Sequence, residues 1–199
     1  MNDERPDLYK PLSHIAWGYL LLHVNFNLGT LNILPNWLGF LLIRDELKTI
    51  GQIVPSALLL RPLVRVLALW EGLLWVLALL GKEFSFYPLE LVIMIIALYF
   101  HFQLLTDLAQ IARQFPPELD EATELKPLDQ RILRSRTARI LLATLMALPL
   151  PAKLLGRMPF TVVIVLANFV VAVRIMAQLF DLRRAFPKPE EEEPKYGES

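Results

Sequence analysis

The chain contains no cysteine, which excludes disulfides, thiolate metal sites and cysteine nucleophiles. It carries no net charge, with 20 Lys and Arg against 20 Asp and Glu, so the balance favours neither nucleic acid nor a strongly acidic partner. No P-loop, Gly-x-Ser-x-Gly elbow, His-Glu-x-x-His pair or dinucleotide fingerprint occurs. The three histidines, His14, His23 and His101, are too scattered in sequence to read as a metal site. No catalytic residue, cofactor or metal is therefore expected. The first residues, MNDERPDLYKP, lack the basic start of a cleavable signal, so the first apolar segment is expected to stay in the mature protein. Asn-x-Ser/Thr acceptors and lipid-anchor motifs are also missing.

What the chain has is hydrophobicity. Of 199 residues, 55% are hydrophobic, against about 45–50% in soluble domains, and the mean hydropathy is +0.44. Residues 11–43 contain no Lys, Arg, Asp or Glu. As one helix that stretch would measure about 50 Å, too long for a single crossing of a roughly 30 Å hydrocarbon core. Asn25, Asn27, Gly29, Asn32, Pro35 and Asn36 interrupt it, and these residue types make turns. A broken or partly re-entrant hairpin is the expectation, with helices over 12–26 and 36–52. Phe40, Ile43, Leu47, Ile50 and Val54 share one stripe of the second helix. The apolar turn residues Leu28, Leu31, Ile33 and Leu34 favour a loop tucked against protein, because non-helical backbone at membrane depth needs such cover.

Four further helices are expected over 56–80, 88–112, 133–150 and 158–182. The fold class is thus all-α, a polytopic transmembrane bundle of about six helices over 12–186. It follows a short N-terminal segment, 1–11, and precedes an acidic tail, 187–199, with too little apolar content to fold. With the ends of the hairpin on one side, 16 basic residues fall on that side and three, Lys82, Lys153 and Arg157, on the other. Arg174 lies within the sixth helix. The positive-inside rule then places both termini in the cytoplasm of a plasma-membrane protein.

Ionisable and polar groups inside spans are candidate sites, because burying them in hydrocarbon is costly. Depth counting brings Glu71, His101 and Asn168 within a turn or two of each other, as a buried cluster able to bind or relay a proton or simply to serve packing. Asp107 and Arg174 are a candidate ion pair. His23, Asn25, Asn27, Asn32 and Asn36 surround the hairpin turn. There they either bind a substrate at a broken helix or cap helix ends. Arg131, Arg134, Arg136 and Arg139 are expected to contact anionic lipid headgroups.

The segment NLGTLNILPNWLGFLLI at 27–43 resembles one found in uncharacterised small multi-pass membrane proteins of bacteria. The resemblance covers under a fifth of the chain; it implies a bacterial plasma membrane and no activity. Three functions follow as expectations. The first is a non-enzymatic accessory or structural membrane protein, acting through a homo-oligomer or a membrane-protein partner. The second is a small transporter or channel using Glu71, His101 and the broken hairpin. The third is a membrane enzyme acting on lipid.

Overall fold

The computed structural model describes residues 6–23, 27–28, 31–32, 35–82, 84–117, 127–147 and 158–188, with the side chains of 27, 28, 31, 32, 147 and 158–161 excepted. Asn25, nearly all of the expected acidic tail and the 148–157 connection lie outside the described residues. Among the described residues there are six α-helices: α1 (Tyr9–Leu21), α2 (Asn36–Ile53), α3 (Leu60–Leu79), α4 (Tyr87–Gln114), α5 (Leu128–Ala147) and α6 (Met158–Arg184). Two short strands, β1 (Asn27–Leu28) and β2 (Leu31–Asn32), pair antiparallel between α1 and α2, and a 3-10 turn, Pro55–Leu59, joins α2 to α3. The broken hairpin is therefore closed by a tight ladder in which Asn27 faces Asn32 and Leu28 faces Leu31.

Helices α1 and α5 depart most from the expected bounds. Helix α1 starts at Tyr9 and ends at Leu21, since Leu8, Leu12, Ile15 and Tyr19 repeat at helical spacing and are all buried. At 13 residues it is about 20 Å long, short of a roughly 30 Å core. Helix α5 starts at Leu128, not 133. Its arginines belong to the helix because Leu128 and Ile132 bury the face they share with it.

Each helix packs on the next, and α6 returns to α1, so the six form a closed ring. Arg183 of α6 helps to close it. Its guanidinium lies 4.9 Å from the Tyr9 ring centroid and donates to Ser13 Oγ at 3.2 Å. Helices α1 and α2 touch backbone to backbone, for a Cβ added at Gly39 would stand 2.6 Å from the Gly18 carbonyl oxygen. Helix α3 ends in a Schellman turn. Gly81 takes a left-handed φ of 63°, its N–H donates to the Ala78 carbonyl, and that of Lys82 donates to Leu77.

The core is concentrated at one end. Ile43, Leu47 and Ile50 of α2, Leu104, Leu108 and Ile111 of α4, and Ile175, Leu179 and Leu182 of α6 are completely or almost completely buried there. The whole Phe40–Val54 stripe expected from the sequence faces this core. At the other end large apolar side chains point outward. Leu69 is 75% exposed, Tyr87 72%, Leu141 65% and Val163 62%. Such a surface is unsuited to water. Among the described residues, three helical segments, Pro55–Leu79, Tyr87–Gln114 and Val162–Arg184, are long and apolar enough to cross a bilayer. Helices α1, α2 and α5 are shorter or more charged and are not in that group.

Candidate functional site

The buried stripes of the helices give way to polar residues above the core. In α1, Leu8, Leu12 and Ile15 lead to Tyr19; in α3, Leu60, Val64 and Leu67 lead to Glu71; in α5, Leu128, Ile132 and Ser135 lead to Arg139. The α6 stripe of Leu182, Leu179, Ile175 and Ala172 leads back to Asn168. Steps of three and four residues keep each of these positions on the inward face. In α4 the same place is held by His101, next to the buried Phe100.

The polar residues fall into two groups. In the first, Asn36 Nδ2 of α2 donates to Glu71 Oε2 of α3 at 3.3 Å. Gly72 lies beside Glu71, and Trp37 packs over it with its ring 6.3 Å from that of Trp75. In the second, His23 Nδ1 donates to the Tyr19 carbonyl at 2.8 Å. That bond fixes the tautomer of a neutral His23: Nδ1 bears the proton and Nε2 is bare. The Tyr19 and His23 rings stack with centroids 4.5 Å apart, and His101 lies 5.6 Å from each. Arg139 Nη1 donates to Asn168 Oδ1. The same guanidinium is hydrogen-bonded to the Tyr19 side chain and acts electrostatically on His23 and His101. This group therefore joins α1, α4, α5 and α6. Phe100, in edge contact with both Phe40 and His101, separates the two groups.

The second group is buried at its centre and half-buried at His23, Arg139 and Asn168. Tyr19 is 0% and His101 8% exposed. His23 Nε2 and His101 Nδ1 are buried without a hydrogen-bond partner among the described residues. Each such group costs about 1–3 kcal/mol while its bond is unmade.

The residues expected to cluster are thus divided differently. Glu71 pairs with Asn36 of the hairpin set, while His101 and Asn168 meet through Arg139. His23 joins them, whereas the Asn27 and Asn32 backbones are taken up by the β ladder. The expected Asp107–Arg174 pair does not form. Asp107 Oδ1 accepts from Ser56 Oγ and from Gln103 Nε2, each at 2.7 Å, and Arg174 is exposed on α6. An α4 carboxylate next to the α2–α3 junction has nearer hydroxyl and amide donors than an arginine on the outer face of another helix.

Three of the four arginines of α5 also depart from expectation. Arg131 Nη2 lies 3.6 Å from Asp181 Oδ2. Arg136 donates to Thr106 Oγ1 at 2.8 Å and lies 4.3 Å from the Phe102 ring centroid. Arg139 turns to Asn168, and Arg134 alone of the four is exposed. Three of the four hold α5 to its neighbours in place of facing outward. The sequence carried a signal for Arg139, because it continues the Leu128, Ile132, Ser135 spacing. Tyr19 continues the α1 stripe in the same way.

A groove of about 720 Å³ runs between α2 and α3. Trp37, Leu41, Ala68, Gly72, Trp75 and Val76 are among its lining residues, and Arg44 and Arg65 stand toward the core end. Arg65 is exposed, and Arg44 is held by the neighbouring Asp45, its Nε donating to Oδ1 at 2.8 Å. Among the described residues, no three His, Asp or Glu side chains converge on one point. No family model, curated protein or solved structure matches the chain.

Proposed function

We propose that this is a non-enzymatic accessory protein of a bacterial plasma membrane, multi-pass with both termini cytoplasmic, that holds an anionic phospholipid in its α2–α3 groove. The groove is the observation that carries this reading. Its volume falls within the roughly 300–1,000 Å³ of small-ligand sites, its wall is almost entirely apolar, and its polar end has two arginines. An amphiphile matches that division, with acyl chain along Trp37 and Trp75 and phosphate at Arg44 and Arg65. Arginine suits a phosphate because its planar fork donates two parallel hydrogen bonds.

The distribution of charge supports the same placement. Arg44 and Arg65 lie on the side that carries 16 of the basic residues. That side is assigned to the cytoplasm, where the leaflet is rich in anionic lipid. The exposed apolar halves of α3, α4 and α6 support contact with acyl chains around the groove. A transporter would call for a polar passage to Glu71, but the lining of the groove is apolar and the carboxylate accepts from Asn36.

Brominated lipids test this reading, since bromine quenches tryptophan on contact. In a Trp17→Phe, Trp70→Phe background, Trp37 and Trp75 report on the groove. Brominated anionic lipid is expected to quench them more strongly than brominated zwitterionic lipid, and Arg44→Gln with Arg65→Gln is expected to abolish the difference. Equal quenching by the two lipids in the arginine-bearing protein would refute the assignment.

A further inference from the structure

We propose that the α2–α3 groove takes a single acyl chain, so that a singly acylated anionic phospholipid fills it as well as a diacylated one, whose second chain stays in the bilayer. The inference rests on the lipid reading of the groove and narrows the class of its occupant.

Length is the first ground. On α3 the lining runs from Arg65 to Val76, which is about 16 Å of helix rise. One leaflet of a roughly 30 Å hydrocarbon core is about 15 Å deep, so the groove is as long as one chain in its leaflet. Both ends are closed. Toward the core, Leu47 of α2 and Leu60 and Val64 of α3 are completely buried, and none of them lines the groove. At the other end the Trp37 and Trp75 rings meet edge to face at 6.3 Å, and β2 packs against α3. A chain whose phosphate sits at Arg44 and Arg65 therefore ends at the two tryptophans.

Volume is the second. A methylene group is about the size of a water molecule, roughly 30 Å³, so a chain of about 16 carbons takes roughly 480 Å³ and two such chains roughly 960 Å³. The groove holds about 720 Å³. One chain fits and two do not.

The wall is the third. A Cβ added at Gly72 would lie 3.8 Å from Trp37 Cγ, so the floor beside Trp37 is bare backbone, and Ala68 extends that floor by one turn toward the arginines. The room for the chain comes from these two small residues. Leu69, Leu73 and Val76 also belong to the lining and are exposed. The groove is therefore open along its side, which lets a second chain of the same lipid remain outside it.

Displacement counts the chains. The full chain with Trp17→Phe and Trp70→Phe is held in maltoside micelles with diacyl phosphatidylglycerol brominated on both chains, and unbrominated lipids of the same chain length are added. Single-chain phosphatidylglycerol is expected to restore the fluorescence of Trp37 and Trp75 at concentrations similar to those of the diacyl form, and single-chain phosphatidylcholine is not. Gly72→Leu fills the floor without touching the arginines and is expected to weaken both anionic lipids tenfold or more. Failure of the single-chain lipid where the diacyl lipid succeeds would overturn the one-chain site and leave the lipid reading standing. If brominated anionic lipid quenches no better than brominated zwitterionic lipid at the outset, the lipid reading falls and this inference with it. Unchanged affinity in Gly72→Leu also overturns the inference. Should that variant fail to fold, Val76→Phe narrows the same groove from an exposed position, and unchanged affinity there has the same meaning.

Discussion

Substituting Gly39 by alanine tests how closely the hairpin is docked. The new methyl carbon would stand 2.6 Å from the Gly18 carbonyl oxygen and 3.1 Å from two carbons of Leu22. The side chain of Leu22 can rotate away, but the carbonyl belongs to the α1 backbone and cannot. Reaching ordinary contact requires the two helices to part by roughly 0.8 Å. Overpacking of this kind costs about 1–3 kcal/mol, and the helix propensity of alanine returns about 0.5–1 kcal/mol of it. A net loss on the order of 1–2 kcal/mol is expected, lowering the thermal midpoint by roughly 2–8 °C for a chain of this size. The control is Gly72→Ala. There the added carbon would meet Trp37 Cγ at 3.8 Å, an ordinary contact, so the propensity gain of up to about 1 kcal/mol should survive. Both midpoints are measured by circular dichroism in the same detergent. A Gly39→Ala protein as stable as wild type, or a Gly72→Ala protein that loses as much, would refute the close approach of α1 and α2.

Other outcomes follow from single contacts. Asp107→Ala removes the acceptor shared by Ser56 and Gln103 and should cost about 1–3 kcal/mol, read as a lower midpoint; Arg174→Gln should leave the midpoint within about 0.5 kcal/mol of wild type. Gly81→Ala forces a side chain into a left-handed φ and should cost about 1–2 kcal/mol in the same assay. Glu71→Gln keeps an acceptor for Asn36 and should change stability by less than about 1 kcal/mol, whereas Glu71→Leu strands the Asn36 amide and should cost more. Arg136→Leu loses both the Thr106 bond and the Phe102 contact. It should raise hydrogen exchange in the amides where α4 meets α5.

The hairpin was legible because turn chemistry is local: Asn, Gly and Pro between apolar runs need no knowledge of the partner helices. The α2 stripe was legible for a related reason, since its period alone names the face that is buried. Arg139 was misplaced because a charged residue was assigned to the headgroups by residue type, although it stands on the stripe of Leu128 and Ile132. Only the neighbouring helices decide whether such a position opens outward or onto an amide such as Asn168. The Asp107–Arg174 pairing failed on rotation about the helix axis. Depth along two helices matched, but the side chains face different directions, and depth counting carries no information about facing.

Closure of the ring has a consequence for how the protein is made. Helix α1 is flanked by α6, which is synthesised long after it, and Arg183 reaches Ser13 across 170 residues of chain. Until α6 emerges, α1 has one flank uncovered, and Arg139 has no Asn168 to receive it. A ribosome stalled before residue 158 therefore leaves an open sheaf of helices with an unaccompanied cation, which is the kind of defect that membrane proteases and chaperones can detect.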